Sequence, residues 1–174
     1  MERHCEPPEL SPDETEAWAT LSWLMFELPG RLEAQLRRDS GLSLFENRVL
    51  ASLATAPERR MPMSDLATFV SGSLSRLSHL VKRLEERGWI RREPSAGDGR
   101  FVDAILTNVG LAVVQQATPA HLTAVRQHVF DALHPRQILQ LRDIGHQIAN
   151  HIEPEHAIEM ALTAQRPKRS ARKS

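Results

Sequence analysis

The stretch from Ser73 to Arg100, SLSRLSHLVKRLEERGWIRREPSAGDGR, constrains what this chain can fold into more than any other. Leu74, Leu77, Leu80, Val81 and Leu84 recur at spacings of three and four, so on a helix they form one apolar stripe suited to burial. The opposite face carries Ser75, Ser78, His79 and Lys82, with Arg76 and Arg83 on its flanks. No acid interrupts that face before Glu85 and Glu86, and Gly88 supplies the permissive backbone on which helices end. Trp89 to Arg92 and Phe101 to Leu106 then read as two strands, joined by EPSAGDG, whose proline, glycines and aspartate suit a hairpin tip.

A solvated outer face would account for the helix alone, because every surface helix has one. What precedes it adds direction. Met63 to Val70 reads as a short helix capped by Ser64 and burying Leu66, Ala67 and Val70, and Ser71 and Gly72 form a tight corner before Ser73. A short helix, a corner and a helix with a cationic outer face make a helix-turn-helix, and the hairpin behind it makes a wing. The expected fold class is therefore mainly α with a small β wing: a winged helix-turn-helix DNA-binding lobe over 43–106.

The residues expected to touch double-stranded DNA follow from this arrangement. On the helix they are Ser73, Ser75, Arg76, Ser78, His79, Lys82 and Arg83. Arg76 is the first candidate for a bidentate contact to guanine, whereas Lys82 and Arg83 suit phosphate. On the wing, Arg91, Arg92 and Arg100 can reach phosphate or the minor groove, and Asp98 can restrain Arg100 through a paired guanidinium.

The rest of the chain holds more apolar helix than such a lobe needs. Ser11 or Asp13 can cap a first helix bearing Trp18, Leu21, Leu24, Leu28, Leu32 and Leu36, whose phase is kept on both sides of Pro29 and Gly30, where a kink or a brief break is expected rather than an end. Ser43 and Glu46 have capping-box spacing at the start of a helix through Ala54 with Phe45, Val49, Leu50 and Leu53 as its stripe, and Ala56 to Pro62 reads as a turn. Thr107 can cap a long helix to about Leu133, bent at Pro119, and Pro135 can start a last one carrying Ile138, Leu141, Ile144, Ile148 and Ile152. The segments 13–40 and 107–152 are thus expected to form a helical dimerisation region, burying their stripes against a second copy. Residues 1–12 read as a disordered acidic arm and 153–174 as a basic C-terminal tail.

Net charge is zero, with 22 basic and 22 acidic residues, which on its face argues against a nucleic-acid partner. Its distribution says otherwise: the first sixteen positions hold six acids against Arg3, while Arg166, Lys168, Arg169, Arg172 and Lys173 stand in the last ten without one. Cys5 is the lone cysteine, so no internal disulfide can form, and its acidic surroundings disfavour a reactive thiolate. With neither a signal-peptide pattern nor a membrane-length apolar run, a cytoplasmic location is expected. The pairs His121 and His128, or His146 and His151, lack metal-ligand spacing, and no nucleophile with its base and no phosphate loop stands out. No cofactor, metal or enzymatic activity is therefore expected. The competing reading is a winged-helix module that docks a protein.

The chain resembles the MarR family of bacterial winged-helix transcription regulators. The resemblance rests on LVKRLEERGWIRR at Leu80 to Arg92, DGR at Asp98 to Arg100 and LTNVG at Leu106 to Gly110, in a matching order of elements from about Trp18 to Ile152. It departs from the commoner pattern before Leu80, where RLSH replaces a threonine-rich segment. The resemblance implies a homodimer on a near-palindromic operator, usually a repressor released by a small molecule, with Arg100 entering the minor groove. It also implies a cleft beside the first helix, where Trp18, Trp23 and Phe26, which at their spacing read first as core, could instead wall a small aromatic or anionic effector, with Arg48, Arg31 or His79 as the anion's anchor.

Overall fold

The computed structural model describes residues 9–95 and 101–152. Cys5, Asp98, Arg100, the basic tail and most of the acidic arm lie outside the described residues.

Helix α1 (Pro12–Ser40) begins on a capping box: Ser11 Oγ accepts from the Glu14 N–H at 3.3 Å, and the Glu14 carboxylate accepts from the Ser11 N–H at 2.8 Å. It runs through Pro29 without a break and stops where Gly41 turns left-handed at φ 70°. Helix α2 (Leu44–Thr55) repeats the device with Ser43 and Glu46. Strand β1 (Arg60–Pro62) corrects the turn expected over Ala56 to Pro62; a 3-10 turn at Pro57–Arg59 leads into it.

Helix α3 (Met63–Phe69) starts one residue after Pro62, and Ser64 does not cap it but donates to Asp65 at 2.9 Å. In the corner that follows, Ser71 takes the left-handed backbone at φ 52°, while Gly72 is needed for space: a Cβ there would come within 3.0 Å of the Phe45 ring. Helix α4 (Leu74–Glu86) is capped by Ser73 Oγ. It ends in a Schellman arrangement in which the Trp89 N–H reaches the Leu84 carbonyl and the Gly88 N–H that of Glu85, with Gly88 at φ 69°.

Strands β2 (Ile90–Pro94) and β3 (Val102–Leu106) pair antiparallel with Arg92 opposite Ala104, and β1 joins the free side of β3 with Met61 opposite Ala104. The sheet order is therefore β1-β3-β2. Helix α5 (Asn108–His128) is capped by Thr107, whose hydroxyl accepts from the Gly110 N–H and donates to the Gly88 carbonyl, tying the wing's base to the helix. Gly110 passes so close to the Trp89 carbonyl that a Cβ would lie 2.2 Å from its oxygen. The helix ends at His128, short of Leu133, and a 3-10 turn at Phe130–Ala132 leads to α6 (Pro135–Ile152).

One apolar core holds the lobe together. Val49, Leu50 and Leu53 of α2, Leu66 of α3, and Leu77, Val81 and Leu84 of α4 are fully enclosed, joined by Ile90, Ala104 and Leu106 of the sheet and by Leu36 of α1 and Val114 of α5. Leu74, expected in the stripe of α4, is instead exposed. The outer half of α1 and all of α6 lie off the core: Trp18, Trp23, Phe26, Ile144, Ile148 and Ile152 are exposed, and α6 has no buried residue. Among the described residues no helix is long and apolar enough to cross a membrane.

Candidate nucleic-acid interface

Because α4 buries one stripe, its remaining surface divides into three strips. The outermost carries Ser75, His79 and Lys82, all exposed. Their short hydroxyl, imidazole and ammonium groups are able to meet base edges or phosphates, and the first acid arrives only at Glu85.

The strip toward α2 is basic. The Arg76 guanidinium lies over the Phe45 ring, 4.5 Å from its centroid, so the arginine read as the first guanine candidate is stacked on α2. Arg83, about two turns further on, has no acidic partner among the described residues. Arg76, His79 and Arg83 line a cleft of about 390 Å³ with Glu33, Arg37, Ser43, Phe45 and Leu80. Its single acid, Glu33, is already engaged, accepting from Arg37 at 3.2 Å and from the Leu44 N–H at 2.9 Å. The cleft therefore holds uncompensated positive charge. Arg87 completes the strip, stacked on Trp89 and 3.7 Å from the Glu46 carboxylate.

The strip toward the wing carries Leu74, Ser78 and Glu85. Glu85 accepts three hydrogen bonds from Arg92: from the backbone N–H at 3.2 Å, from Nε at 2.9 Å and from Nη2 at 2.6 Å. The side-chain hydrogen bonds from Arg92 outweigh the opposing cost of burial and, with lesser help from its backbone bond and charge, hold the Glu85 carboxyl below the usual carboxylate range. Arg92 is thus a strut between α4 and β2, and Arg91 bonds Glu93 at 2.6 Å. Both of these wing cations are paired, whereas Lys82 and Arg83 have no acidic partner among the described residues.

Sequence reasoning missed the ionic cluster under the wing. Arg60 of β1 reaches Glu93 of β2 at 2.6 Å and Asp103 of β3 at 3.4 Å, linking all three strands through one guanidinium. Asp103 is buried and its Oδ1 has no hydrogen-bond partner. Arg60 lay in a segment read as a turn, so nothing local pointed to it. Phe45 was read only as core, although its half-buried ring is also the platform for Arg76.

The residues suggested for an effector are not gathered in the single chain. Trp18 and Trp23 are exposed on α1, Phe26 is 82% exposed, and Arg48 on α2 donates to the Phe69 carbonyl at 3.4 Å. A half-buried polar contact does cross from α1 to α5: His121 Nδ1 lies 3.3 Å from Gln35 Oε1, and desolvation lowers the imidazole pKa. Among the described residues no group of three histidine, cysteine or acidic side chains could hold a metal ion.

Short helix, corner, outward-facing helix and antiparallel hairpin together define a winged helix-turn-helix, an architecture built to present one helix and one hairpin to a duplex. The family model described as MarR matches residues 42–102, from the residues before α2 to the start of β3. Sco3205, a MarR family transcriptional regulator from Streptomyces coelicolor whose crystal structure is in complex with DNA, is 39% identical, with a TM-score of 0.81 over 87% of this chain and 94% of that one. AbsC, a second MarR family regulator from Streptomyces coelicolor, is 34% identical, with a TM-score of 0.80 over 85% of this chain and 99% of that one. The HTH-type transcriptional regulator PecS of Dickeya dadantii is 28% identical over 104 residues, which span 58% of this chain and 62%, under two thirds, of PecS. The chain belongs to the MarR family of transcription regulators. Its family makes it a transcription regulator rather than an enzyme.

Proposed function

We propose that the protein acts as a homodimeric repressor on a near-palindromic operator, with α4 in the major groove and the wing, including Arg100, at the minor groove. The observation that carries this reading is the acid-free outer surface of α4, where Ser75, His79 and Lys82 stand exposed beside the uncompensated cations Arg76 and Arg83. Its chemistry divides by strip. Ser75, Ser78 and His79 face base edges, Lys82 and Arg83 hold phosphates, and Arg76 is set by Phe45 at the groove's border. Ser73, Arg91, Arg92 and Asp98 support the contact from the helix cap and wing.

The dimer follows from the uncovered apolar faces of α1 and α6, and it would set two copies of α4 about 34 Å apart on one side of the duplex. A small aromatic or anionic effector releases the operator in this reading. Trp18, Trp23 and Phe26 are offered to it from α1, and because one chain does not gather them with Arg48, the second copy completes the site.

Selection of bound fragments from random duplex DNA tests the reading. A symmetric consensus is expected, with affinity falling steeply as salt rises because phosphate contacts displace counterions. Binding to all duplexes alike, or no salt dependence, would refute operator reading.

A further inference from the structure

Leu74 is the first residue of α4 and stands at the end that leads into a groove, yet it is 52% exposed although helical spacing assigns it to the core stripe. It borders a hollow of about 350 Å³ between α4 and the wing, together with Met63, Ser78, Phe101 and Val102. Phe101 and Val102 are also exposed, at 56% and 42%. Arg92, the hollow's one cation, is already held by Glu85. Leu74, Phe101 and Val102 thus set a small apolar cluster beside a helix face otherwise lined with hydroxyls and cations, and contact with an apolar group there would take it out of water.

In the major groove the C5 methyl of thymine is the apolar feature that base edges present, and apolar side chains recognise it by contact. The hollow is lined by Ser78, which belongs to the surface that faces the duplex in the proposed function, on which this inference rests. We propose that Leu74 is a specificity-determining residue that reads a thymine methyl in each half-site. Ser78 and Phe101 border the contact and help keep water from the methyl. Loss of one methyl contact corresponds to about four-fold in affinity, the equivalent of ~0.8 kcal/mol per buried carbon group.

The test uses the full chain and the duplex it selects from random DNA. Each thymine is replaced in turn by deoxyuridine, which lacks only the methyl, and the Kd is measured. One thymine per half-site is expected to weaken binding about four-fold when demethylated. Leu74→Ala, at an exposed position and so melting with the parent, is expected to lose this sensitivity, and Leu74→Met to keep it. A parent chain indifferent to every deoxyuridine, or a Leu74→Ala variant as sensitive as the parent, overturns the inference while leaving operator reading intact. A chain that selects no sequence overturns both.

Discussion

The reading lobe and the terminal helices carry the same kind of apolar repeat and end in opposite states. In the lobe, Leu77, Val81 and Leu84 of α4 meet α2 and the sheet and are fully enclosed. On α6, Ile144, Ile148 and Ile152 repeat every four residues, just as regularly, and stay in the open. Periodicity fixes which side of a helix is apolar; whether that side is buried depends on what the chain brings against it. The difference teaches that the lobe closes its apolar face within one chain, whereas the outer half of α1 and all of α6 leave theirs open.

Substitutions that act on one region alone can break this contrast. The largest effect is expected in the lobe: Leu50, fully enclosed on α2, should cost ~2–5 kcal/mol of stability when changed to Ala, read as a lowered denaturation midpoint. Ile148→Asp on α6 should instead leave the lobe folded by circular dichroism while shifting sedimentation from a two-chain to a 19.6 kDa species. Unfolding by that variant would mean that α6 belongs to the lobe's own core.

Within the lobe the three strips of α4 make separable predictions. Arg83→Ala should weaken binding to all duplexes alike and reduce the slope of log affinity against log salt by about 1, the signature of one lost phosphate contact. Glu85→Gln removes the charge that holds Arg92. It should lower the melting temperature modestly at neutral pH and have less effect in acid: a depressed carboxyl stabilises above the ordinary carboxylate range, and this is lost as pH falls through the lowered folded value.

The smallest effect is expected where α1 meets α5. The His121 pKa is lowered by burial, so its neutral form is favoured in the fold. The associated stability is fully present above the ordinary value of about 6.5 and is lost as pH falls below it through the lowered folded pKa. Melting curves at neutral and mildly acidic pH should show this slope, and His121→Gln should flatten it.

Most helices were legible because their ends are written locally. The Ser11–Glu14 and Ser43–Glu46 boxes and the Thr107 cap are spacings of three, and the Schellman end at Gly88 needs only one glycine. Strand β1 was not legible: its three residues include a proline and show no alternation, and it exists because β3 offers a free side to pair with. Pro62 also stands where α3 begins, which displaced the cap expected at Ser64. The residue types of the site could be read from α4, but their partners could not. Arg76 finds Phe45, far back in the chain, and Arg60 finds Asp103, 43 residues away, so these pairings arise only once the sheet and α2 are in place. Leu74 shows the same limit, since the stripe's phase says nothing of where the burying surface stops.

The central claim is that one closed lobe reads each half of a symmetric site while open terminal helices supply the second copy. The mass of the complex on a selected operator, measured by sedimentation equilibrium, tests it most directly. Two 19.6 kDa chains per duplex are expected, with Ile148→Asp reducing this to one at much weaker affinity. A single chain per duplex bound as tightly as before would contradict it.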